Sequence, residues 1–195
     1  MRLFIAINLS DGMKDVLDET AAELRSVARR GRYTHRENLH LTLVFIGESD
    51  RVDDILDVME DVAEEFFTEP IRLALSGAGA FRRSGGDLHW VGVESTPELK
   101  ALAKALADGL RADGFDIERR RYVPHITIAR EVVVGAGGGA DGGGGAGGAA
   151  VKVHLATMEA DHISIMRSDH IGGRLVYTEV ASVPCGSLAY AKDPL

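Results

Sequence analysis

Two short stretches of this chain place a histidine and a threonine two residues apart: His40-Leu41-Thr42-Leu43 and His125-Ile126-Thr127-Ile128. Both stretches are rich in aliphatic residues, which predicts β-strands. Because side chains two apart in a strand point to the same face, each stretch presents an imidazole and a hydroxyl together, while its aliphatic residues point to the core. Each copy therefore offers a rigidly held pair of groups that can move a proton and bind an anion.

Two such pairs facing each other suit in-line displacement at phosphorus. The attacking and leaving oxygens lie on opposite sides of the phosphorus atom. One neutral imidazole can therefore take a proton from the nucleophile while a protonated imidazole delivers a proton to the leaving oxygen. The hydroxyls of Thr42 and Thr127 would donate to the non-bridging oxygens. A single His-x-Thr is common by chance, and the repetition in matching contexts is what indicates a site.

A metal site is the main alternative use of the seven histidines. The sequence contains no His-Glu-x-x-His, no His-x-His and a single cysteine, so the familiar metal-ligand spacings are missing. We therefore expect neither a metal nor another cofactor. Four further histidines have no partner motif and are interpreted as structural or surface residues: His89, His154, His162 and His170.

Basic and aromatic residues near the two motifs could contact a nucleotide. The pair Arg82-Arg83 and the run 119–121 would add local positive potential beside a phosphate site in an otherwise acidic protein. The rings of Tyr33 and Phe81 could stack on a base, although aromatic side chains near core strands more often serve packing.

The elements that carry the motifs occur in a repeated order of strand, helix and His-x-Thr strand. Phe4 lies 36 residues before His40, and Trp90 lies 35 residues before His125. This match in order and length predicts an internal duplication with two lobes related by a pseudo-twofold axis. The predicted fold is α+β, with mostly antiparallel sheets and outer helices.

Local signals set the expected element boundaries. Ser10-Asp11 predicts the start of a helix that ends at Gly31, and Thr96-Pro97 the start of one that ends at Gly114. A third helix, with an acidic outer face, is expected over 49–67. Besides a strand in the opening residues, strands are expected at 38–46, 71–75 (followed by a turn at Gly77 to Gly79), 88–93, 122–130, 151–157, 159–167 and 174–180, with a turn at Gly172-Gly173.

The segment 135–149 breaks the parallel between the lobes. Ten of its fifteen residues are Gly and four are Ala, where the first lobe has its acidic helix. Because Gly costs ~1 kcal/mol per position relative to Ala in a helix, we expect a flexible exposed loop.

Length and charge limit the class of protein. A chain of 195 residues with 45% hydrophobic residues fits a single globular domain. The net charge of −8 argues against binding of long nucleic acid by general positive charge, but leaves a small or terminal phosphate ligand open. The single Cys185 predicts a cytoplasmic protein, and the lack of a long apolar run predicts that it does not insert into a membrane. We expect a monomer.

The two motifs and their flanks resemble the 2H phosphoesterase superfamily, and within it the RNA 2′,3′-cyclic phosphodiesterase family, also called 2′-5′ RNA ligase-like. The resemblance rests on five stretches that cover the chain except for its Gly tract: 2–7, 37–47, 88–93, 124–130 and 164–168. It implies a bilobal fold with a central cleft, no metal, and hydrolysis of a ribose 2′,3′-cyclic phosphate at RNA ends or nucleotides to a 2′-phosphate.

The resemblance also implies roles for individual residues. His40 would be the proton donor and His125 the proton acceptor, with Thr42, Thr127 and Arg130 on the phosphate. Ideal alternation places Arg130 on the strand face opposite His125, so its role requires a β-bulge or the strand end. Tyr33 stands where the family often has Trp. Two other functions stay open: 2′-5′ RNA ligation in the reverse direction, and a binding module that holds nucleotide phosphates without turnover.

Overall fold

The computed structural model describes residues 1–134 and 151–185, so the predicted loop at 135–149 lies outside the described residues. Three helices and nine strands make up an α+β fold. The helices are α1 (Asp11–Val27), α2 (Val52–Phe66) and α3 (Pro97–Ala112). The strands are β1 (Arg2–Asn8), β2 (Ala28–Tyr33), β3 (His40–Glu48), β4 (Ile71–Phe81), β5 (Asp87–Val93), β6 (His125–Val134), β7 (Thr157–Ala160), β8 (His162–Ile171) and β9 (Arg174–Pro184). None of the helices in these described ranges is long and apolar enough to cross a membrane.

The strands form two antiparallel sheets, as predicted. The first has the order β3-β1-β8-β9 and the second the order β2-β6-β5-β4-β7. The strands β3-β1-β8 of the first sheet correspond to β6-β5-β4 of the second. In each lobe the histidine motif therefore lies on the strand beside the one that leads into a helix: β3 lies beside β1, which precedes α1, and β6 lies beside β5, which precedes α3. This correspondence supports the predicted duplication.

Strand register gives the equivalence between the lobes in detail. Thr42 lies opposite Ala6 in the first sheet, and Thr127 lies opposite Trp90 in the second. Trp90 therefore corresponds to Ala6, and the equivalence of Trp90 with Phe4 suggested by sequence spacing is wrong by two residues. The error arises because spacing counts loop residues, which differ between the lobes.

Helix starts agree with the predicted caps, but one helix end does not. The Ser10 hydroxyl accepts from the Met13 N–H, and Thr96 caps α3 in the same way. The prediction that the first helix reaches Gly31 is wrong, because α1 ends at Val27 and the following residues form β2 along β6. Pairing with a strand about a hundred residues away overrides the local helix signal.

Several predicted strands also differ from the structure, and the one expected at 159–167 is divided at Asp161 between β7 and β8. β4 continues to Phe81 instead of turning at Gly77 to Gly79, because residues 78–81 pair with β5. Gly79 permits this pairing, since a Cβ there would collide with the Trp90 indole. β6 begins at His125, since the preceding Pro124 has no N–H to donate. Residues 151–156 are irregular, and β7 begins only at Thr157.

Two apolar clusters support the sheets. The main core lies between the sheets and the helices and includes Leu41 and Ile126, the aliphatic residues between each His and Thr. A second, small cluster of Phe4, Ala6, Met166 and Tyr177 covers the other face of the first sheet. His40 and Thr42 share that face. We call this face, together with the face of the second sheet that carries His125 and Thr127, the cleft face.

Candidate active site

His40 is fixed by a hydrogen bond at each ring nitrogen. Its Nδ1 lies 2.7 Å from the Asn38 carbonyl oxygen, and its Nε2 lies 2.9 Å from Thr42 Oγ1. A carbonyl oxygen only accepts, so Nδ1 carries a proton and Nε2 is the atom that gains or loses one. The His-x-Thr spacing therefore brings a titrating nitrogen and a hydroxyl to one point, as predicted.

Asn38 ties His40 to the far edge of the same sheet. The side chain of Asn38 is buried; its Nδ2 donates to the Leu175 carbonyl at 2.7 Å, and its Oδ1 accepts from the Tyr177 N–H at 3.1 Å. Because Asn38 lies two residues before the start of β3 while its partners lie on β9, these bonds curl the sheet into a half-barrel. The role of Asn38 could not be predicted from the sequence, since nothing in its local pattern shows a partner 137 residues away.

We expect Asn38→Ala to lower kcat by roughly 10- to 100-fold with a smaller change in KM, because the displaced His40 imidazole loses its alignment. The lost amide also leaves two backbone groups of β9 without partners, which costs ~1–3 kcal/mol of unfolding free energy for each buried group. Steady-state kinetics and thermal melting of the same preparation measure both effects. An Asn38→Ala protein that melts lower but keeps its kcat would show that Asn38 serves stability alone.

The surroundings of His40 disfavour its protonated form. The ring centroid lies 4.9 Å from that of Phe4 and 5.1 Å from that of Tyr177. Burial lowers the pKa of His40 below its ordinary value; the bond to Asn38 opposes this, and the positive charges of Arg130 and His125 lower the pKa further. The imidazole is therefore biased towards the neutral state before a substrate anion arrives.

His125 repeats the first half of this arrangement in the second lobe. Its Nδ1 lies 2.7 Å from the Val123 carbonyl oxygen, again two residues earlier in the chain, which leaves Nε2 available. The ring packs edge-on against Phe81, with centroids 5.6 Å apart, and lies 6.1 Å from Trp90. Both histidines thus have the same tautomer enforced by a backbone carbonyl.

Two hydrogen bonds join the strands that carry the histidines. The Tyr122 hydroxyl donates to the Thr42 carbonyl at 3.2 Å, and the Thr34 hydroxyl donates to the Thr127 carbonyl at 2.9 Å. The segment that precedes each motif strand therefore lies along the motif strand of the other lobe. This crossed arrangement brings the two motifs together at the junction of the sheets.

A β-bulge places Arg130 on the cleft face. The consecutive residues His89 and Trp90 lie opposite Ala129 and Thr127, so Ile128 is an extra residue in β6. The bulge reverses the alternation, and Arg130 lies close enough to His40 for its charge to lower the pKa of that histidine. The bulge that the role of Arg130 requires is therefore present.

The same bulge in the first lobe exposes an aromatic ring that sequence analysis missed. Leu43 is the extra residue of β3, and Phe45 follows it on the cleft face, opposite Phe4. Phe45 is 52% exposed, and the Arg120 guanidinium lies 5.9 Å from its ring centroid. Phe45 thus occupies the position that Arg130 has in the other lobe, five residues after the histidine.

The two aromatic residues singled out in the sequence lie in different places. Phe81 is 37% exposed beside His125, as a residue of the site would be. Tyr33 lies opposite Ala129 in the β2–β6 pair and packs against the main core, with the Arg25 guanidinium 4.3 Å from its ring centroid. The structure therefore does not bring Tyr33 to the cleft face.

The remaining histidines and the acidic residues do not form a metal centre in the described part of the chain. Within residues 1–134 and 151–185, no three His, Cys, Asp or Glu side chains form a group that could hold a metal ion. His89 is buried on the core side of β5, His162 is bonded to Asp161, and His154 and His170 are exposed.

Comparison with known sequences gives consistent relatives. A model of the 2′-5′ RNA ligase superfamily matches residues 13–134. The chain is 34% identical over 132 residues to an RNA 2′,3′-cyclic phosphodiesterase of Thermotoga maritima. The aligned region covers 67% of this chain and 70% of that relative. It is 28% identical over 183 residues to the RNA 2′,3′-cyclic phosphodiesterase of Methanothermobacter thermautotrophicus, and the aligned region covers 92% of this chain and 96% of that relative. A Geobacillus stearothermophilus relative is 30% identical over 131 residues, and the match spans 41% of its length.

Solved structures share the fold over nearly the whole chain. The structure of Escherichia coli LigT complexed with 3′-AMP has a TM-score of 0.71 and 25% identity, covering 94% of this chain and 97% of LigT. A protein of Thermus thermophilus has a TM-score of 0.71 and 24% identity, and the match covers 95% of this chain and 98% of that protein. The family model covers more than half of the sequence, and both histidine motifs lie in corresponding places of two related sheets. The protein belongs to the 2′-5′ RNA ligase superfamily of 2H phosphoesterases.

Proposed function

We propose that the protein hydrolyses ribose 2′,3′-cyclic phosphates, at RNA ends or on nucleotides, to 2′-phosphates. The observation that carries this proposal is the matched pair of imidazoles, each with Nδ1–H bonded to a backbone carbonyl, which leaves Nε2 as the nitrogen that can exchange a proton. The names of the T. maritima and M. thermautotrophicus relatives support the same substrate. Both histidines come from one chain, so we propose that a monomer in the cytoplasm carries out the reaction.

The reaction breaks one P–O bond and forms another. Nε2 of neutral His125 takes a proton from water, whose oxygen attacks phosphorus in line with the 3′ oxygen. The bond between phosphorus and the 3′ oxygen breaks, and Nε2 of protonated His40 delivers a proton to that oxygen. The 2′ oxygen keeps the phosphate, and a solvent proton exchange resets both imidazoles.

Three side chains would stabilise the charge that develops on the non-bridging oxygens. Thr42 and Thr127 present hydroxyls beside the two histidines, and the bulge brings the guanidinium of Arg130 to the same face. Hydrogen bonds aimed at developing charge are strong in a site with little water. The phosphate anion would also favour the protonated form of His40, which its buried surroundings disfavour.

Exposed rings at the cleft face would bind the base of the terminal nucleotide. Phe45 offers the more exposed ring on the same strand as Thr42, with Arg120 beside it. Phe81 packs with Trp90 and contacts His125, so we propose that it orients this imidazole and adds an apolar contact. Stacking on an aromatic ring accepts any base, which fits a substrate defined by its phosphate.

The same groups could join RNA ends as well as hydrolyse them. If a 5′ hydroxyl replaces water as the nucleophile, opening of the cyclic phosphate joins two RNA ends by a 2′-5′ bond, with His125 again taking a proton and His40 again delivering one. The superfamily name favours this as the second candidate. A binding module without turnover is disfavoured, because both proton-transfer pairs are intact.

Turnover of a 2′,3′-cyclic nucleotide in the presence of a chelator tests the proposal. We expect full activity after EDTA treatment, because both proton transfers use side chains of the protein. Phosphorus NMR of the product is expected to show a 2′-phosphate. Loss of activity with EDTA and recovery with a divalent ion would contradict the two-histidine mechanism. A 3′-phosphate product would show that the 2′ oxygen, not the 3′ oxygen, is the leaving group.

A further inference from the structure

A polar network lies on the cleft face next to His40. Asn8 lies opposite His40 in the β1–β3 pair. Its Nδ2 donates to Glu179 Oε2 at 2.7 Å and to Ser164 Oγ at 3.3 Å, and Ser164 Oγ donates to the same Glu179 oxygen at 2.8 Å. Three strands therefore hold one carboxylate in a fixed orientation beside the catalytic centre.

The hydrogen-bond donors of this network bind partners within it, so the network offers a ligand only acceptor oxygens. The hydroxyl proton of Ser164 and the amide protons of Asn8 point to Glu179 and to Ser164. Within residues 1–134 and 151–185, no side chain or backbone N–H is bonded to Glu179 Oε1 or Asn8 Oδ1. A ligand group that binds either of these two oxygens must therefore donate a hydrogen bond.

The network is confined to one lobe. In the second lobe Gly92 lies opposite His125, where the first lobe has Asn8. The position of Ser164 corresponds to Gly79, which packs under the Trp90 ring. A duplicated fold therefore does not require these polar residues, and their presence on one side alone indicates a specific ligand contact.

The network lines a cavity whose charge favours a base over a phosphate. Other residues of the wall include Met158, Ser182 and the pair Asp161 and His162, whose Oδ1 and Nδ1 are 2.9 Å apart. In this part of the described chain the wall contains two carboxylates and no lysine or arginine, so a phosphate would be repelled. The Met158 thioether supplies an apolar surface for the face of a ring.

The position of the cavity indicates which nucleotide it holds. Phe45, proposed for the terminal base, lies opposite Phe4, whereas the cavity begins at Asn8, four residues further along β1. Four strand residues span about 13 Å. A terminal nucleoside stacked on Phe45, with its phosphate at the histidines, does not reach this cavity. The cavity is therefore left for the nucleotide that adjoins the terminal one.

We propose that this cavity binds the base of the nucleotide that precedes the cyclic phosphate terminus, and that it prefers guanine. Guanine presents N1–H and N2–H side by side, which matches Glu179 Oε1 and Asn8 Oδ1. Adenine and cytosine present one amino group next to an acceptor nitrogen, and the N–H of uracil is flanked by two carbonyls that these oxygens repel. This assignment rests on the proposed function, since it takes the reacting phosphate to lie between the histidines.

The test uses four dinucleotides, NpA with a 2′,3′-cyclic phosphate, where N is G, A, C or U, together with adenosine 2′,3′-cyclic phosphate. For the unchanged protein we expect kcat/KM to be about tenfold or more higher with G than with U. Glu179→Gln would keep an acceptor towards Asn8 and Ser164 but present an NH₂ group to the base, so the preference for G is expected to disappear. Hydrolysis of the mononucleotide is expected to stay unchanged.

Glu60→Gln on the exposed face of α2 is the matched control, because it removes the same charge far from the cleft face. Equal rates with all four dinucleotides would overturn the proposal. An equal loss in Glu179→Gln on all four would instead indicate a sugar contact, and a loss on the mononucleotide a role at the reacting phosphate. Dissociation constants of unmodified GpA and UpA, measured by calorimetry, test the base preference without turnover, so a protein that hydrolyses nothing would still be informative.

Discussion

His40→Ala and His125→Ala are each expected to lower kcat for cyclic phosphate hydrolysis by ~100-fold or more, because positioned acid and base groups contribute typically 10²–10⁴-fold. Each change removes one of the two Nε2 atoms that exchange protons with the substrate. KM is expected to change less, since Thr42, Thr127 and Arg130 would still bind the phosphate. Steady-state kinetics with adenosine 2′,3′-cyclic phosphate measures both constants.

His170→Ala provides the matched control, since this histidine is exposed near the end of β8. It is expected to keep full activity. His40 packs against Phe4 and Tyr177, so His40→Ala is also expected to lower the melting temperature, whereas the more open His125 contributes less to stability. A folded variant of either residue with near-normal kcat would remove that histidine from the mechanism.

The parts of the site that follow from local pattern could be predicted from the sequence. Two-residue alternation places His40 with Thr42 and His125 with Thr127, and the structure shows the first pair in direct hydrogen-bond contact. The helix caps at Ser10 and Thr96 are equally local, because a capping hydroxyl binds an N–H three residues ahead. The repeated order of elements then predicted two corresponding sheets.

The parts that depend on distant partners could not be predicted. The bulge at Ile128 is set by pairing with β5 and decides that Arg130 faces the site. Asn38 acts through β9, and Glu179 joins Asn8 from 171 residues away. Phe45 was predictable in principle, since it stands five residues after its histidine as Arg130 does, but its exposure follows only from the matching bulge in β3.

The pH dependence is expected to separate the two histidines. His125 must be neutral to accept a proton and His40 protonated to donate one, so kcat/KM rises and then falls with pH. Burial, together with the charges of Arg130 and His125, lowers the pKa of His40 from its ordinary value of 6.5. Because the optimum of kcat/KM lies midway between the pKa values of the two histidines in the free enzyme, this shift is expected to move the optimum to lower pH.

The optimum of kcat is expected to differ, because kcat reports the enzyme with substrate bound. A cyclic phosphate carries one negative charge throughout this range, and an anion beside His40 favours the imidazolium, so the optimum moves to higher pH. Arg130→Gln is expected to raise the optimum of kcat/KM, since it removes a charge that lowers the pKa of His40. His40→Ala is expected to lose the basic limb and His125→Ala the acid limb. An optimum of kcat/KM that Arg130→Gln does not move would contradict His40 as the proton donor, and loss of the acid limb in His40→Ala would exchange the two roles.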